Sequence, residues 1–158
     1  MRASPAKNSL TTSVCFVQCA PADAVVDDTP LISSTPPLLL KATLRANDAG
    51  MHALFSIRPD VVVLDMRLAV LEHATRVLQK VRALLPRARI VAIGDPGAEA
   101  HARVAVLAGA YAYEGTGVTA ARVRRAILFA TAGLVHLNST GKRAALSVRP
   151  KASVDPAG

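Results

Sequence analysis

Residues 58–68 read RPDVVVLDMRL. Three valines and a leucine run without a polar break into Asp65. A half-exposed strand alternates polar and apolar residues, whereas a strand covered on both faces reads as one continuous apolar run. VVVLD, residues 61–65, therefore predicts a central strand of a parallel sheet. Its last residue is a carboxylate, at the strand end where such sheets build their sites. Asp65 either caps the following loop or stands at the rim as a functional acid.

The flanking sequence supports the parallel sheet. Val70, Leu71, Ala74, Val77, Leu78, Val81, Leu84 and Leu85 recur at helical spacing and stop before Pro86. ARIVAIG (88–94) predicts another buried strand, ending on Gly94. A helix follows from about Ala98 to Ala108, with Gly109 as its C′ residue. Tyr111–Glu114 predicts a short strand. Thr119 caps a last helix whose buried stripe is Val123, Ile127 and Ala130, and Gly133 ends it. Upstream, SVCFVQCA (13–20) and LLLKATLRA (38–46) predict strands. Asp48–Ile57 predicts a short helix capped by Asn47 or Asp48. Residues 21–37 carry four prolines, which argues against a long helix there. Residues 1–12 and the basic stretch 138–158 lack periodicity and predict a flexible N-terminus and a flexible tail. Residues 13–137 then form one domain. Strand–helix repeated about five times predicts an α/β, three-layer, doubly wound parallel sheet of five strands.

Composition agrees. The 158 residues suffice for one core, 51% are hydrophobic and tryptophan is absent, so that core is built of Ala, Val, Leu and Ile. The net charge is +8, which favours acidic partners. Cys15 and Cys19 lie four residues apart on one strand, about 13 Å, too far to bridge. They read as small buried residues in a reducing compartment. No apolar stretch reaches the roughly 20 residues of a membrane span. The N-terminus has basic residues, an apolar stretch and Ala-x-Ala, but Gln18 interrupts the apolar part. A cytoplasmic location is expected.

PDVVVLDMRL, then LQKVRALLPRARIVAIG, then VLAGAYAY resembles the receiver domain of two-component response regulators, of the CheY-like, flavodoxin-like fold. The nearest kin in pattern precede a LuxR-type DNA-binding domain. The resemblance spans residues 38–137 and is best over 58–113. It implies that Asp65 is the acceptor of a phosphoryl group from a histidine kinase. It also implies an acidic pair holding Mg²⁺ with the acceptor, a hydroxyl residue ending the fourth strand, a lysine ending the fifth and a switching aromatic nearby. Tyr113 matches the aromatic. Gly94 stands at the hydroxyl position, Thr116 at the lysine position, and Ala69 replaces a proline. Two registers are open for the acidic pair. AVVDDTPLI (24–32) makes Asp27 and Asp28 the Mg²⁺ ligands with Asp65. SVCFVQCA instead puts Gln18 and Cys19 near those positions, with Asp23 close by. Population shift requires different contacts in two states. With hydroxyl and lysine missing, phosphorylation is expected to switch the domain weakly.

Other patterns are weaker. GTGVTA (115–120) matches Gly-x-Gly-x-x-Ala, but a dinucleotide site needs a further strand with an acid at its end, and here the helix is expected to run into the polar tail. His52, His73, His101 and His136 fall on separate elements without ligand spacing. No nucleophile elbow occurs, and enzymatic turnover is not expected. Arg122, Arg124 and Arg125 on the last helix, with Lys142, Arg143, Arg149 and Lys151 beyond it, could contact phosphates or simply form a solvated basic face. Nothing after Gly141 has the pattern of a recognition helix with a core behind it. Three functions stay in view. One is an atypical receiver that binds a regulatory protein or a second copy through its last helices, with phosphorylation weak or lost. Another is a working Mg²⁺-dependent phospho-acceptor. The third is a DNA-binding regulator using the basic helix and tail.

Overall fold

The computed structural model describes residues 11–22, 35–115 and 118–137. The elements run β1 (Thr12–Gln18), β2 (Leu38–Arg45), α1 (Asp48–Ile57), β3 (Val61–Asp65), α2 (Leu71–Leu84), β4 (Arg89–Ile93), α3 (Glu99–Leu107), β5 (Ala112–Glu114), α4 (Ala120–Thr131) and β6 (His136–Leu137). All strands are parallel, in the order β2-β1-β3-β4-β5-β6. The five predicted strands are present. The sixth departs from expectation: the chain after α4 does not run directly into a tail but returns to pair Ala112 with His136 and Tyr113 with Leu137. Among the described residues no acid stands at the end of β6, so the dinucleotide pattern at residue 115 remains incomplete there.

VVVLD becomes β3 because both its faces are covered, and all five of its residues are buried. On one face Val62 and Leu64 join α1, α2 and α3 through Leu54, Leu78 and Ala105. On the other, Val61 and Val63 join α4 through Val123, Ala126, Ile127 and Ala130. Those four residues follow the i, i+3, i+4, i+7 spacing of one helical stripe. Each fully buried Val, Leu or Ile contributes about 1.5–3 kcal/mol relative to exposure. Asp60 fixes the entry to β3: its Oδ2 accepts from the Ser13 amide at 2.9 Å and the Ser13 hydroxyl at 3.0 Å.

Helix ends follow local chemistry. Asn47 caps α1, accepting from the Gly50 amide at 2.8 Å, and Thr119 caps α4, accepting from the Arg122 amide at 3.2 Å. Gly50 is needed in the first turn of α1 because a Cβ there would overlap the Arg45 carbonyl oxygen. Arg58 ends α1 in the left-handed region, φ 51°, with its guanidinium 4.8 Å over the Phe55 ring. No described helix is long and apolar enough to cross a membrane.

Candidate functional site at the carboxyl rim

The chain goes from β1 outward to β2, then crosses back so that β3 lies on the other side of β1. This reversal opens a crevice at the strands' carboxyl ends. Asp65 ends β3 there, in register with Gln18 of β1 and Ile93 of β4. The hydrophobic strand therefore carries the carboxylate to the rim, as the sequence implied.

The carboxylate is not open. Oδ1 accepts from the Arg67 amide at 3.1 Å and from Arg67 Nε at 2.9 Å, and Oδ2 accepts from Arg67 Nη2 at 2.8 Å. The Asp65 side chain is 3% exposed and that of Arg67 22%. Two parallel charge-assisted bonds form a bidentate fork, the strongest geometry such a pair can take. The loop after Asp65 is tied further. Leu68 adopts φ 65° and donates its amide to Asp95 Oδ2 at 2.9 Å. His101 of α3 contacts the Ala69 carbonyl at 2.8 Å through Nε2, which must carry the proton because a carbonyl only accepts.

Gly94 follows β4, and its amide donates to the Glu114 carbonyl at 2.9 Å. Tyr113 is fully buried beside it, its hydroxyl 3.4 Å from the Ala98 carbonyl. Burial, and secondarily the charge of Asp95, push the Tyr113 phenol up to about 12.

At the end of β1, Gln18 and Cys19 occupy the places beside the acceptor strand, and the Cys19 amide donates to the Asp65 carbonyl at 2.9 Å. Burial, and next the charge of Asp65, raise the Cys19 thiol to about 12. Mg²⁺ demands hard oxygen ligands. Beside Asp65 the described residues offer a neutral amide, a protonated thiol and a carboxylate already held by arginine. No described group of three or more His, Cys, Asp or Glu could hold a metal. The described residues thus do not fit Mg²⁺. Asp23, Asp27, Asp28 and Thr116 lie outside the described residues.

The basic residues of α4 do not act as one surface. Arg124 is turned onto the Thr35 and Pro36 carbonyls, at 3.1 and 2.8 Å. Arg122 Nε lies 3.9 Å from Oε1 of buried Glu114. Arg125 is exposed. Lys142, Arg143, Arg149 and Lys151 lie outside the described residues. Cys15 and Cys19 are both free and buried, as expected.

A cleft of about 410 Å³ adjoins the site, lined by Gln18, Cys19, Asn47, Val70 and His73 among others. A larger one, about 680 Å³, lies at the opposite rim around Arg58, Asp60, Arg87 and Arg89. The site is assigned by its chemistry and topology rather than by volume. Sequence reasoning missed Arg67, Asp95 and the tethering role of His101. Arg67 carried a signal, since an arginine two residues after a rim aspartate can reach back to it. The other two come from separate loops and helices, where one sequence holds no trace of proximity.

No protein-family model matches the chain, and no curated protein matches it by sequence. Solved structures do match it in backbone. A LuxR-family two-component response regulator from Aurantimonas sp. SI85-9A1 is 20% identical, with 87% of this chain and 96% of that one covered and a TM-score of 0.60. The isolated REC domain of RcsB from Salmonella enterica serovar Typhimurium, in the presence of phosphomimetic BeF3⁻, is 8% identical over 85% and 98% of the chains, with a TM-score of 0.62. RcsB in a structure of two dimers bound to two parallel DNAs is 9% identical over 91% and 74%, with a TM-score of 0.63. At these identities the likeness is one of fold. The parallel sheet, the helices on both its faces and the aspartate at the end of the central strand together make this chain a receiver fold of the kind found in LuxR-family response regulators.

Proposed function

We propose that the chain is an atypical receiver module of a two-component pathway that regulates transcription by protein contact, with phosphoryl switching at Asp65 weak or lost. It would act in the cytoplasm, and the surface of its last helices would meet a regulatory protein or a second copy. The observation that carries this reading is the Arg67 fork on Asp65. A carboxylate oxygen must be free to attack a phosphoryl group. Opening a buried ion pair costs about 3 kcal/mol or more, which alone slows a step by about 100-fold. Gln18 and Cys19 carry no charge and are poor Mg²⁺ ligands, so neither brings a metal to offset charge on an incoming group.

Titration with Mg²⁺ and beryllium fluoride tests this. The expected result is no saturable binding. Saturable binding abolished by Asp65→Asn would instead establish a working phospho-acceptor, with Asp27 and Asp28 as the ligands to examine next. The DNA structure of RcsB motivates a second reading, in which Arg125, Lys142 and Arg143 contact phosphates. That reading requires DNA affinity that falls steeply with salt. Salt-insensitive or absent binding removes it.

A further inference from the structure

Tyr113 and Gly94 fit each other as plug and socket. Tyr113 pairs with Ala92 in the sheet, which brings its ring beside the residue that follows β4. A Cβ added to Gly94 would overlap the Tyr113 hydroxyl and lie 2.7 Å from Cζ. The backbone does not demand glycine here, for Gly94 is not among the residues with positive φ. What demands it is the ring. The ring in turn is fully buried in the core that contains Ala102 and Ala105 of α3. Its hydroxyl reaches toward Ala98, the residue just before α3.

We infer that the missing side chain at position 94 locks Tyr113 inward, so that β5 and α3 keep one arrangement whatever the state of Asp65. A two-position side chain needs two states of similar energy. An outward ring would vacate space that Gly94 has no side chain to occupy, and such cavities are costly. The inward state has no competitor. This goes beyond the function proposed above and holds whether or not Asp65 accepts a phosphoryl group.

Four chains test the lock: the parent, Gly94→Ala, Tyr113→Ala and the double variant. At an ordinary backbone angle, glycine to alanine stabilises by restricting the unfolded chain. Gly94→Ala should lower the urea midpoint in the parent and raise it, or leave it unchanged, in the Tyr113→Ala background. Equal shifts in both backgrounds would overturn the lock. If Gly94→Ala fails to fold, Tyr113→Ala should rescue it; no rescue overturns the inference equally. Tyrosine absorbance adds a second readout. Tyr113 should titrate at about 12 in the parent and fall toward the ordinary value of about 10 in Gly94→Ala. An unchanged titration would mean that the ring never depended on the glycine. Finally, beryllium fluoride with Mg²⁺ should leave the Tyr113 midpoint unmoved. Binding at Asp65 without such a shift overturns only the proposed function; a shift on binding overturns the lock.

Discussion

Asp65 and Arg67 face each other across Met66 at the end of β3, joined through both carboxylate oxygens at 2.9 and 2.8 Å. Removing either partner strands the other charge in a nearly closed site. Arg67→Ala is expected to cost about 3 kcal/mol, the lower end for buried pairs because the arginine keeps some solvent contact. Arg67→Lys should recover only part, since an ammonium cannot form the fork. Urea unfolding of the two variants checks both points. Replacing both partners together, Asp65→Asn with Arg67→Met, should cost less than the sum of the single changes.

Leu68 is half exposed yet sits at φ 65°, where a branched side chain is strained. Leu68→Gly should therefore stabilise the fold, by about 1 kcal/mol. Asp95→Ala, which removes the acceptor for the Leu68 amide, should destabilise by about 1–2 kcal/mol. Thermal unfolding that gives the opposite signs would show that the loop is not held in this conformation.

The alkaline limb of stability follows from three buried groups. Cys15, Cys19 and Tyr113 are raised to about 11, 12 and 12, each chiefly by burial. A raised pKa stabilises the folded state fully below the unfolded value, and that contribution is lost as pH rises through the folded value. The unfolded values are about 8.5 for cysteine and 10 for tyrosine. The urea midpoint should fall progressively above about pH 9. In Cys19→Ala this fall should be shallower than in the parent.

Gly50 offers a test of close approach. Glycine to alanine within a helix ordinarily gains about 1 kcal/mol. Here the added methyl would meet the Arg45 carbonyl, so Gly50→Ala should lower the melting temperature instead. A rise would show that the α1–β2 contact gives way easily.

Arg124 separates structure from nucleic-acid contact. It binds two carbonyls ahead of β2 in exposed hydrogen bonds, so Arg124→Ala should cost about 0.5–1 kcal/mol of stability. The salt slope of any DNA binding should stay unchanged, because a bound phosphate is not what this guanidinium holds. A shallower slope in the variant would assign it to the DNA.

Much of this architecture was legible because burial writes itself into spacing. VVVLD read as a strand covered on both faces, and it is one. Val123, Ile127 and Ala130 marked the inward stripe of α4, and Asn47 and Thr119 announced their helices. The site was legible in part. Asp65 stood out because a polar end to an apolar strand is unusual, and Gly94 and Tyr113 were each noticed. Their mutual fit was not, since a glycine's reason lies in the neighbour that occupies its space. His101 at Ala69 and Arg124 at Thr35 join residues 32 and 89 positions apart, contacts on which local pattern is silent. β6 escaped because two paired residues are too few to produce any periodicity.

That short strand has a consequence for self-association. Long flat sheet margins recruit other chains by offering rows of vacant backbone partners, and proteins blunt them with very brief outer strands. Here β5 is shielded by β6, and β6 spans two residues. Another molecule would find few rungs there to extend the ladder; the opposite margin is β2, eight residues long, so copies of this chain that merged their sheets should do so along β2.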